Sequence, residues 1–366
     1  MPMEAILFVV FVGLVVINVP IGVALGLSGI ASLLLGDMPT PPLVVAQRMF
    51  TSVDSFPFMA IPFFMIAGGF METGGMSRRL VEFAKSLVGT IPGGLGIITV
   101  IASAFFAALS GSNPATVAAI GSIMIPAMVK AGYPLDVAAA LAAAAGTLGV
   151  IIPPSIPMVT YGVVTNSSIG DLFVAGIVPG AMIAVSLVCI VFWLAKKYDL
   201  RGGEPTSLKK ILVSGKDALL ALMMPIIILG GIYGGVFTPT EAAAVATVYA
   251  LIVGMFVFRE ITLADLRNVI MKAAVSSAVV LFVIATSSSF SWLLTSLQIP
   301  EKVASTMLSI SNNPTVILLL LNIILLFLGS FLETQAIILL VTPIIFPLAM
   351  NLGVDPLVLG IIIVVN

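Results

Sequence analysis

The sequence contains no histidine and only one cysteine, Cys189, among its 366 residues. Without histidine, the chain lacks the commonest general base and the commonest ligand of protein-bound transition metals. A single cysteine allows no disulfide within the chain, and we interpret Cys189, which lies in an apolar run, as a small packing residue. We therefore expect neither a catalytic site nor an organic cofactor, and the protein is not predicted to be an enzyme.

Charged residues are also scarce, at 8% of the sequence, whereas 60% of the residues are hydrophobic. Soluble domains carry about 25% charged residues, so this chain cannot cover itself with water-facing side chains. Its apolar runs are long and do not alternate, which favours transmembrane helices over an outer-membrane barrel. We predict an all-α, multi-pass protein of the lipid bilayer. The net charge of −1 argues against a nucleic-acid partner.

The basic residues that are present cluster in one polar stretch. Six of the fifteen lie close together: Lys196, Lys197, Arg201, Lys209, Lys210 and Lys216. The positive-inside rule places this stretch in the cytoplasm. It is either an ordinary solvated loop or a linker between two halves, and both interpretations can hold together. We assign residues 196–217 as a linker between a first half at 1–195 and a second half at 218–366.

The two halves resemble each other weakly. A 25-residue segment of the first aligns with one of the second at an offset of 221, pairing Pro126 with Pro347 and Gly132 with Gly353. Duplicated halves with interrupted segments are typical of secondary transporters whose site lies near the middle of the membrane. We predict two repeats, each with a re-entrant helical hairpin and a broken transmembrane helix.

Helix-breaking residues interrupt the apolar run near 134–165, which we predict as the broken helix of the first half. The stretch GTLGVIIPPSIP, at 146–157, holds two glycines and three prolines. Pro153 and Pro154 cannot donate backbone hydrogen bonds, so carbonyls near Val150 lose their helical partners. At membrane depth such carbonyls can coordinate a cation. The alternative is a simple proline kink.

A second polar stretch, SGSN at 110–113, is predicted as the tip of a hairpin near 93–130. Its hydroxyl, amide and carbonyl oxygens are ligands of the kind that hard cations prefer. As the alternative, Ser112 or Asn113 caps the helix that follows, which begins with a proline. Capping does not exclude cation binding.

Two glutamates near the matching positions of the second half receive different interpretations. Glu333 aligns with Ser112 and lies amid strongly apolar sequence. An intramembrane carboxylate suggests a functional role, whereas the alternative is a residue exposed at a loop end. Glu241 follows Thr238 and Pro239 in the pattern of a capping box, so we predict a structural role for it.

Five long motifs occur in order along nearly the whole chain. They are SFPFMAIPFFMIAGGFMETGGMSRRL (55–80), SGSNPATVAAIGSIMIPAMVKAGY (110–133), AGTLGVIIPPSIPMVTYG (145–162), SIGDLFVAGIVPG (168–180) and FTPTEAAAVA (237–246). Together they resemble the large membrane subunit of the tripartite ATP-independent periplasmic (TRAP) transporters. This resemblance implies an elevator-type permease of a bacterial or archaeal inner membrane, built from two inverted repeats and driven by a sodium gradient. Such subunits work with a small four-helix membrane subunit and a periplasmic substrate-binding protein, and they import organic acids.

Other transporter classes remain as alternatives. A stand-alone ion-coupled anion transporter or antiporter of a related fold can share hairpins and repeats. A channel is less favoured, because paired broken helices are typical of alternating access. An intramembrane enzyme would need an acid, a base and a nucleophile, and the sequence offers no such set.

The resemblance also implies two sites for sodium, as the coupling ion. The first joins the hairpin tip to the broken helix and comprises Ser110, Ser112, Asn113, Gly146, Thr147 and Val150. The second lies in the matching elements of the other half and comprises Gly329, Glu333 and Thr334 with a later broken helix.

The chain departs from the family pattern at two points. The family usually has serine where this chain has Asn113, which keeps a side-chain carbonyl oxygen. At the offset of 221, the second broken helix is expected near position 374, beyond Asn366. We therefore expect the natural protein to continue for on the order of 50 residues, and a form ending at Asn366 not to transport.

Overall fold

The computed structural model describes residues 2–36, 38–88, 90–200, 207–311, 313–330 and 332–366. Every regular element in these ranges is helical. Within the described residues, six helices are long and apolar enough to cross a membrane: Phe56–Thr73, Ile169–Lys197, Leu208–Tyr233, Pro239–Val257, Leu263–Ser296 and Thr334–Asn351. The prediction of an all-α, multi-pass membrane protein is confirmed.

Short connections join most of the helices. The first half forms α1 (Met3–Val16), α2 (Ile21–Leu35), α3 (Leu43–Val53), a 3-10 turn (Phe56–Met59), α4 (Ala60–Thr73), α5 (Met76–Val88), α6 (Gly94–Ser110), α7 (Asn113–Lys130), α8 (Leu135–Gly146), α9 (Leu148–Ile151), α10 (Ile156–Thr165) and α11 (Ile169–Lys197). The second half forms α12 (Leu208–Tyr233), α13 (Pro239–Ile252), a π-helical turn (Val253–Val257), α14 (Leu263–Ser296), α15 (Ile299–Ile310), α16 (Pro314–Gly329), α17 (Thr334–Asn351) and α18 (Pro356–Val365).

The helices on either side of the predicted linker, residues 196–217, extend into it. The first of them, α11, ends at Lys197, and α12 begins at Leu208. Residues 201–206, including the basic residue Arg201, lie outside the described residues.

One compact unit comprises Met1–Met59, Val159–Ser168 and Val275–Asn366. Its apolar core includes Leu7 of α1, Leu25 of α2 and Phe290 of α14. All three side chains are at most 1% exposed. Because apolar contact area drives packing, this cluster joins helices that are distant in sequence.

The other compact unit comprises Ala60–Met158 and Ile169–Ala274. Within it, α6 and α7 occupy the segment predicted as a hairpin, and they pack against each other and against α8 and α9. Each unit draws segments from both predicted repeats, so the units and the repeats divide the chain differently.

The structure answers two predictions about single residues. Thr238 Oγ1 accepts from the Glu241 N–H at 3.3 Å, and Glu241 Oε2 accepts from the Thr238 N–H at 2.8 Å, which confirms the capping box. Cys189 is exposed on α11, so its interpretation as a packing residue was wrong. Since α11 is apolar on all sides, the sequence gives no signal of which face contacts protein.

Candidate cation site

Gly111 forms the turn between α6 and α7. Its φ of +62° lies in the left-handed region, where other residues are strained. A Cβ at this position would also lie 2.8 Å from the Pro154 carbonyl oxygen. The Gly111 carbonyl accepts a hydrogen bond of 3.2 Å from the N–H of Ile156, the first residue of α10. The hairpin tip, residues 110–113, is therefore bonded directly to the start of α10, which follows the helix break, residues 152–155.

Ser155 organises the helix break. The helix ends at Ile151 and resumes at Ile156, as the paired prolines predict. The Ser155 hydroxyl donates to the Val150 carbonyl and accepts from the Met158 N–H. One side chain thus satisfies a carbonyl near the break and caps α10. Ser155 was not among the predicted site residues, although a serine directly before a helix is a strong capping signal.

Gly149 allows the backbone of α9 to lie against the hairpin tip. A Cβ there would lie 2.5 Å from the Ser112 carbonyl oxygen and 2.7 Å from Thr116 Oγ1. Real side chains do not tolerate such distances, so only glycine permits this approach. The Ser112 carbonyl and the Thr116 hydroxyl therefore lie beside the backbone of the broken helix.

The hydroxyls at the tip form a small network. Ser110 Oγ lies 3.0 Å from Thr116 Oγ1, and Thr116 Oγ1 donates to the Ser112 carbonyl at 2.8 Å. Both Ser110 and Thr116 are buried. Thr116 was not among the predicted site residues, because a helical threonine bonded to the carbonyl four residues earlier is a common local pattern.

The side-chain oxygen of Asn113 has no partner in the part of the chain that the structure describes. Its Oδ1 is buried and accepts no hydrogen bond from the described residues. Ser112 is the N-cap residue of α7, yet no side-chain capping bond is made there. The capping alternative is therefore not realised at this helix. An unpartnered buried polar group costs about 1–3 kcal/mol, which a bound cation would offset.

The structure places most residues predicted for the first site at the tip or against it. Ser110, Ser112 and Asn113 lie at the tip, while Gly146 and Val150 lie in α8 and α9, which pack against the hairpin: Gly146 contacts the Val117 side chain. Thr147 differs, because its side chain is exposed and its hydroxyl donates to the Ala144 carbonyl at 2.7 Å.

The residues predicted for the second site lie around the connection between α16 and α17. Gly329 ends α16, and Thr334 begins α17. Glu333 is exposed, occupies the N-cap position and makes no side-chain capping bond. Position 331 lies outside the described residues. Gln335 was not among the predicted site residues, and its Oε1 is buried without a hydrogen-bond partner among the residues described.

A comparison with protein families decides the class of transporter. The family model described as "Tripartite ATP-independent periplasmic transporter, DctM component" matches residues 8–366. The chain belongs to this family. The resemblance inferred from the five sequence motifs is confirmed.

Curated relatives of this TRAP permease agree with that assignment. A C4-dicarboxylate TRAP transporter large permease protein of Pseudomonas aeruginosa is 46% identical over 343 residues, covering 94% of this chain and 80% of the relative. A sialic acid TRAP transporter large permease protein of Vibrio cholerae is 39% identical over 356 residues, covering 97% and 83%. An isethionate TRAP transporter permease protein of Oleidesulfovibrio alaskensis is 46% identical over 363 residues, covering 99% of this chain and 57% of that relative. The chain thus spans somewhat more than half the length of the isethionate permease.

At its first hairpin tip, this TRAP permease offers only neutral oxygen atoms. They belong to the hydroxyls of Ser110 and Thr116, the backbone of Ser112 and the amide of Asn113. Hard cations prefer oxygen ligands of this kind. None of these groups titrates near neutral pH, so the arrangement is suited to holding an ion and not to acid–base chemistry.

Proposed function

We propose that the protein is the permease subunit of a sodium-driven secondary transporter that imports an organic acid through the inner membrane of a bacterium or archaeon. The observation that carries the sodium assignment is the buried Oδ1 of Asn113 at the hairpin tip, which accepts no hydrogen bond from the described residues. A cation at this point would gain an oxygen ligand that costs free energy when left alone.

A sodium ion fits the first site better than a proton does. Proton-coupled transporters rely on titratable side chains at the coupling site. The tip and the break provide hydroxyls, an amide and backbone carbonyls instead. Among the proposed ligands, a carboxylate is present only at the second site, where it belongs to Glu333. We place a second sodium ion there, with Gly329 and Thr334 as further ligands.

The helix boundaries support the proposal of a duplicated chain. The helix α7 begins at 113 and α17 begins at 334, a difference of 221. Their ends, at 130 and 351, differ by the same number. The starts of α8 and α18, at 135 and 356, differ by the same number. Gly132 and Gly353 pair at this offset, and both have positive φ, +94° and +73°. Inverted orientation of the two copies and elevator-type movement complete the proposed mechanism.

The cargo and partners follow from the family description and from the relatives' names. Those names refer to C4-dicarboxylates, sialic acid and isethionate, all of which are organic acids. The family is described as a tripartite periplasmic transporter. We therefore propose that a periplasmic binding protein delivers an organic acid, and that a small four-helix membrane subunit is the third component.

Reconstitution of the three components tests this function. With the full permease, the small subunit and the binding protein in liposomes, uptake of the binding protein's ligand should require external sodium. Full uptake driven by a proton gradient in sodium-free buffer would contradict the sodium assignment. Undiminished uptake without the binding protein would favour the stand-alone transporter instead.

The Glu333→Gln variant tests the second sodium site. Removing the negative charge should raise the half-saturating sodium concentration about tenfold, since a charged ligand interaction is worth about 1.5–3 kcal/mol. Assembly and expression should stay close to normal. Glu301→Gln is the matched control, because Glu301 is an exposed acid in the first turn of α15. Identical sodium titrations for both variants would make Glu333 an ordinary loop-end residue.

A further inference from the structure

A cavity lies entirely within the compact unit that contains α1 and α17. It has a volume of about 350 Å³ and opens among α3, the end of α10, α14 and α17. Sites for small molecules typically measure about 300–1,000 Å³, so the cavity is large enough for a small ligand. No residue of either proposed sodium site lines it.

The lining combines hydroxyl groups with apolar walls. The hydroxyl residues are Ser52, Thr165, Ser287, Ser288, Ser291 and Thr342. The remaining lining residues are aliphatic, aromatic or proline, and none of the lining residues is an Asp, Glu, Lys or Arg. A charged ligand would lose its hydration without meeting an opposite charge, which is costly. The lining therefore selects an uncharged ligand.

Two of the lining residues have buried hydroxyls with no partner among the described residues. Ser287 is 1% exposed and Thr342 is 0% exposed, and neither hydroxyl makes a hydrogen bond within the described parts of the chain. Thr165, by contrast, donates to the Tyr161 carbonyl at 2.8 Å. Because buried hydroxyls are almost always hydrogen-bonded, the two exceptions mark positions for polar atoms of a ligand.

Prolines in α17 add acceptors to the same wall. Pro343 and Pro347 lie inside this helix and line the cavity. Each proline lacks an N–H, so the carbonyls of Leu339 and Pro343 lose their helical donors. Ser291 Oγ approaches the Leu339 carbonyl at 3.5 Å. Hydroxyl donors and freed carbonyl acceptors are thus placed along one side of the cavity.

From this lining we propose that the cavity is a binding site for a small uncharged polyol of about four carbons, a size that fits the lower end of the range for small-molecule pockets. A polyol hydroxyl both donates and accepts, so such a ligand can bond Ser287, Thr342 and a freed carbonyl together. Its carbon atoms would contact Phe58 and Phe346. The proposed cargo is an anion, so this site is separate from the cargo and does not rest on the proposed function.

Single-cysteine labelling tests the proposal directly. Cys189→Ser removes the only cysteine of this sequence, and Ser288→Cys then places a thiol on a half-buried lining residue. In membranes containing the full permease, uncharged methyl methanethiosulfonate should modify this thiol. Erythritol at about ten times its dissociation constant should slow the modification about tenfold. The anionic sulfonatoethyl reagent should react at least about tenfold more slowly than the uncharged one.

Three further variants serve as controls for this experiment. Ser309→Cys, on an exposed position of α15, should be modified at a rate that erythritol does not change. Adding Ser287→Ala and Thr342→Val to the Ser288→Cys variant should abolish erythritol protection while modification continues. Ser52→Cys repeats the measurement from another part of the lining if Ser288→Cys does not reach the membrane. Equal rates for both reagents, or no protection with both hydroxyls intact, would overturn the proposal.

Discussion

Replacing Gly149 with alanine is expected to reduce sodium-driven uptake about ten- to a hundredfold at limiting sodium. The new Cβ would lie 2.5 Å from the Ser112 carbonyl oxygen and 2.7 Å from Thr116 Oγ1. The Ser112 carbonyl cannot yield easily, because it already accepts bonds from the Thr116 N–H and hydroxyl. The broken helix must therefore move away from the hairpin tip. Overpacking of this kind costs about 1–3 kcal/mol, which corresponds to roughly five- to 150-fold in affinity.

A sodium titration of uptake measures this effect, with expression of the permease followed in parallel. Gly230→Ala is the matched control: it lies inside α12 of the same unit, and a Cβ there would meet no atom within 4 Å. Alanine also favours a helix interior by about 1 kcal/mol over glycine. The control should therefore keep its sodium dependence. Equal titrations for the two variants would show that the close approach at Gly149 does not matter for sodium.

The sequence predicts the fold class and the position of the helix break for clear physical reasons. Sparse charge and long apolar runs leave no soluble alternative, so the membrane helices follow from composition alone. Pro153 and Pro154 have no backbone N–H in any conformation, so two helical hydrogen bonds cannot form there. The interruption after Ile151 therefore follows from the covalent structure of proline. The capping box at Thr238 is similarly local, since its two partners are three residues apart.

Other features depend on tertiary packing and leave no local signal. Thr147 and Thr116 are both threonines near the broken helix, yet only Thr116 has its hydroxyl directed at the hairpin tip. Nothing in the sequence says which of the two faces the site. The hydroxyls of Ser287 and Thr342 come from different helices, so their shared cavity cannot be inferred from spacing. Whether a polar side chain finds a partner is decided by packing, and it is the unpartnered ones that indicate ligands.

Asn113 and Asn313 make a natural matched pair, since each directly precedes a proline at the start of a helix. Asn313 is a conventional N-cap, because its Oδ1 accepts a 2.9 Å hydrogen bond from the Thr315 N–H. The Oδ1 of Asn113 is buried and has no partner among the described residues. The same type of side chain thus makes a capping bond at one helix start, whereas at the other its oxygen has no partner among the described residues.

The two alanine variants should therefore have opposite effects. Asn113→Ala should raise the half-saturating sodium concentration about tenfold or more, because a hydrogen bond or contact to a charged group is worth about 1.5–3 kcal/mol. Its stability without sodium should not fall, since the Oδ1 that is removed accepts no hydrogen bond from the described residues. Asn313→Ala should lose about 1 kcal/mol of helix stability and keep its sodium dependence.

Two measurements distinguish these outcomes. One is the melting temperature of the purified permease with and without saturating sodium, and the other is a sodium titration of uptake. A ligand that binds only the folded protein raises the melting temperature, so the sodium-induced rise reports binding without requiring transport. We expect this rise to shrink in Asn113→Ala and to persist in Asn313→Ala. If Asn113→Ala instead melts lower without sodium and keeps the full sodium-induced rise, Asn113 stabilises the hairpin tip and the first sodium ion binds elsewhere.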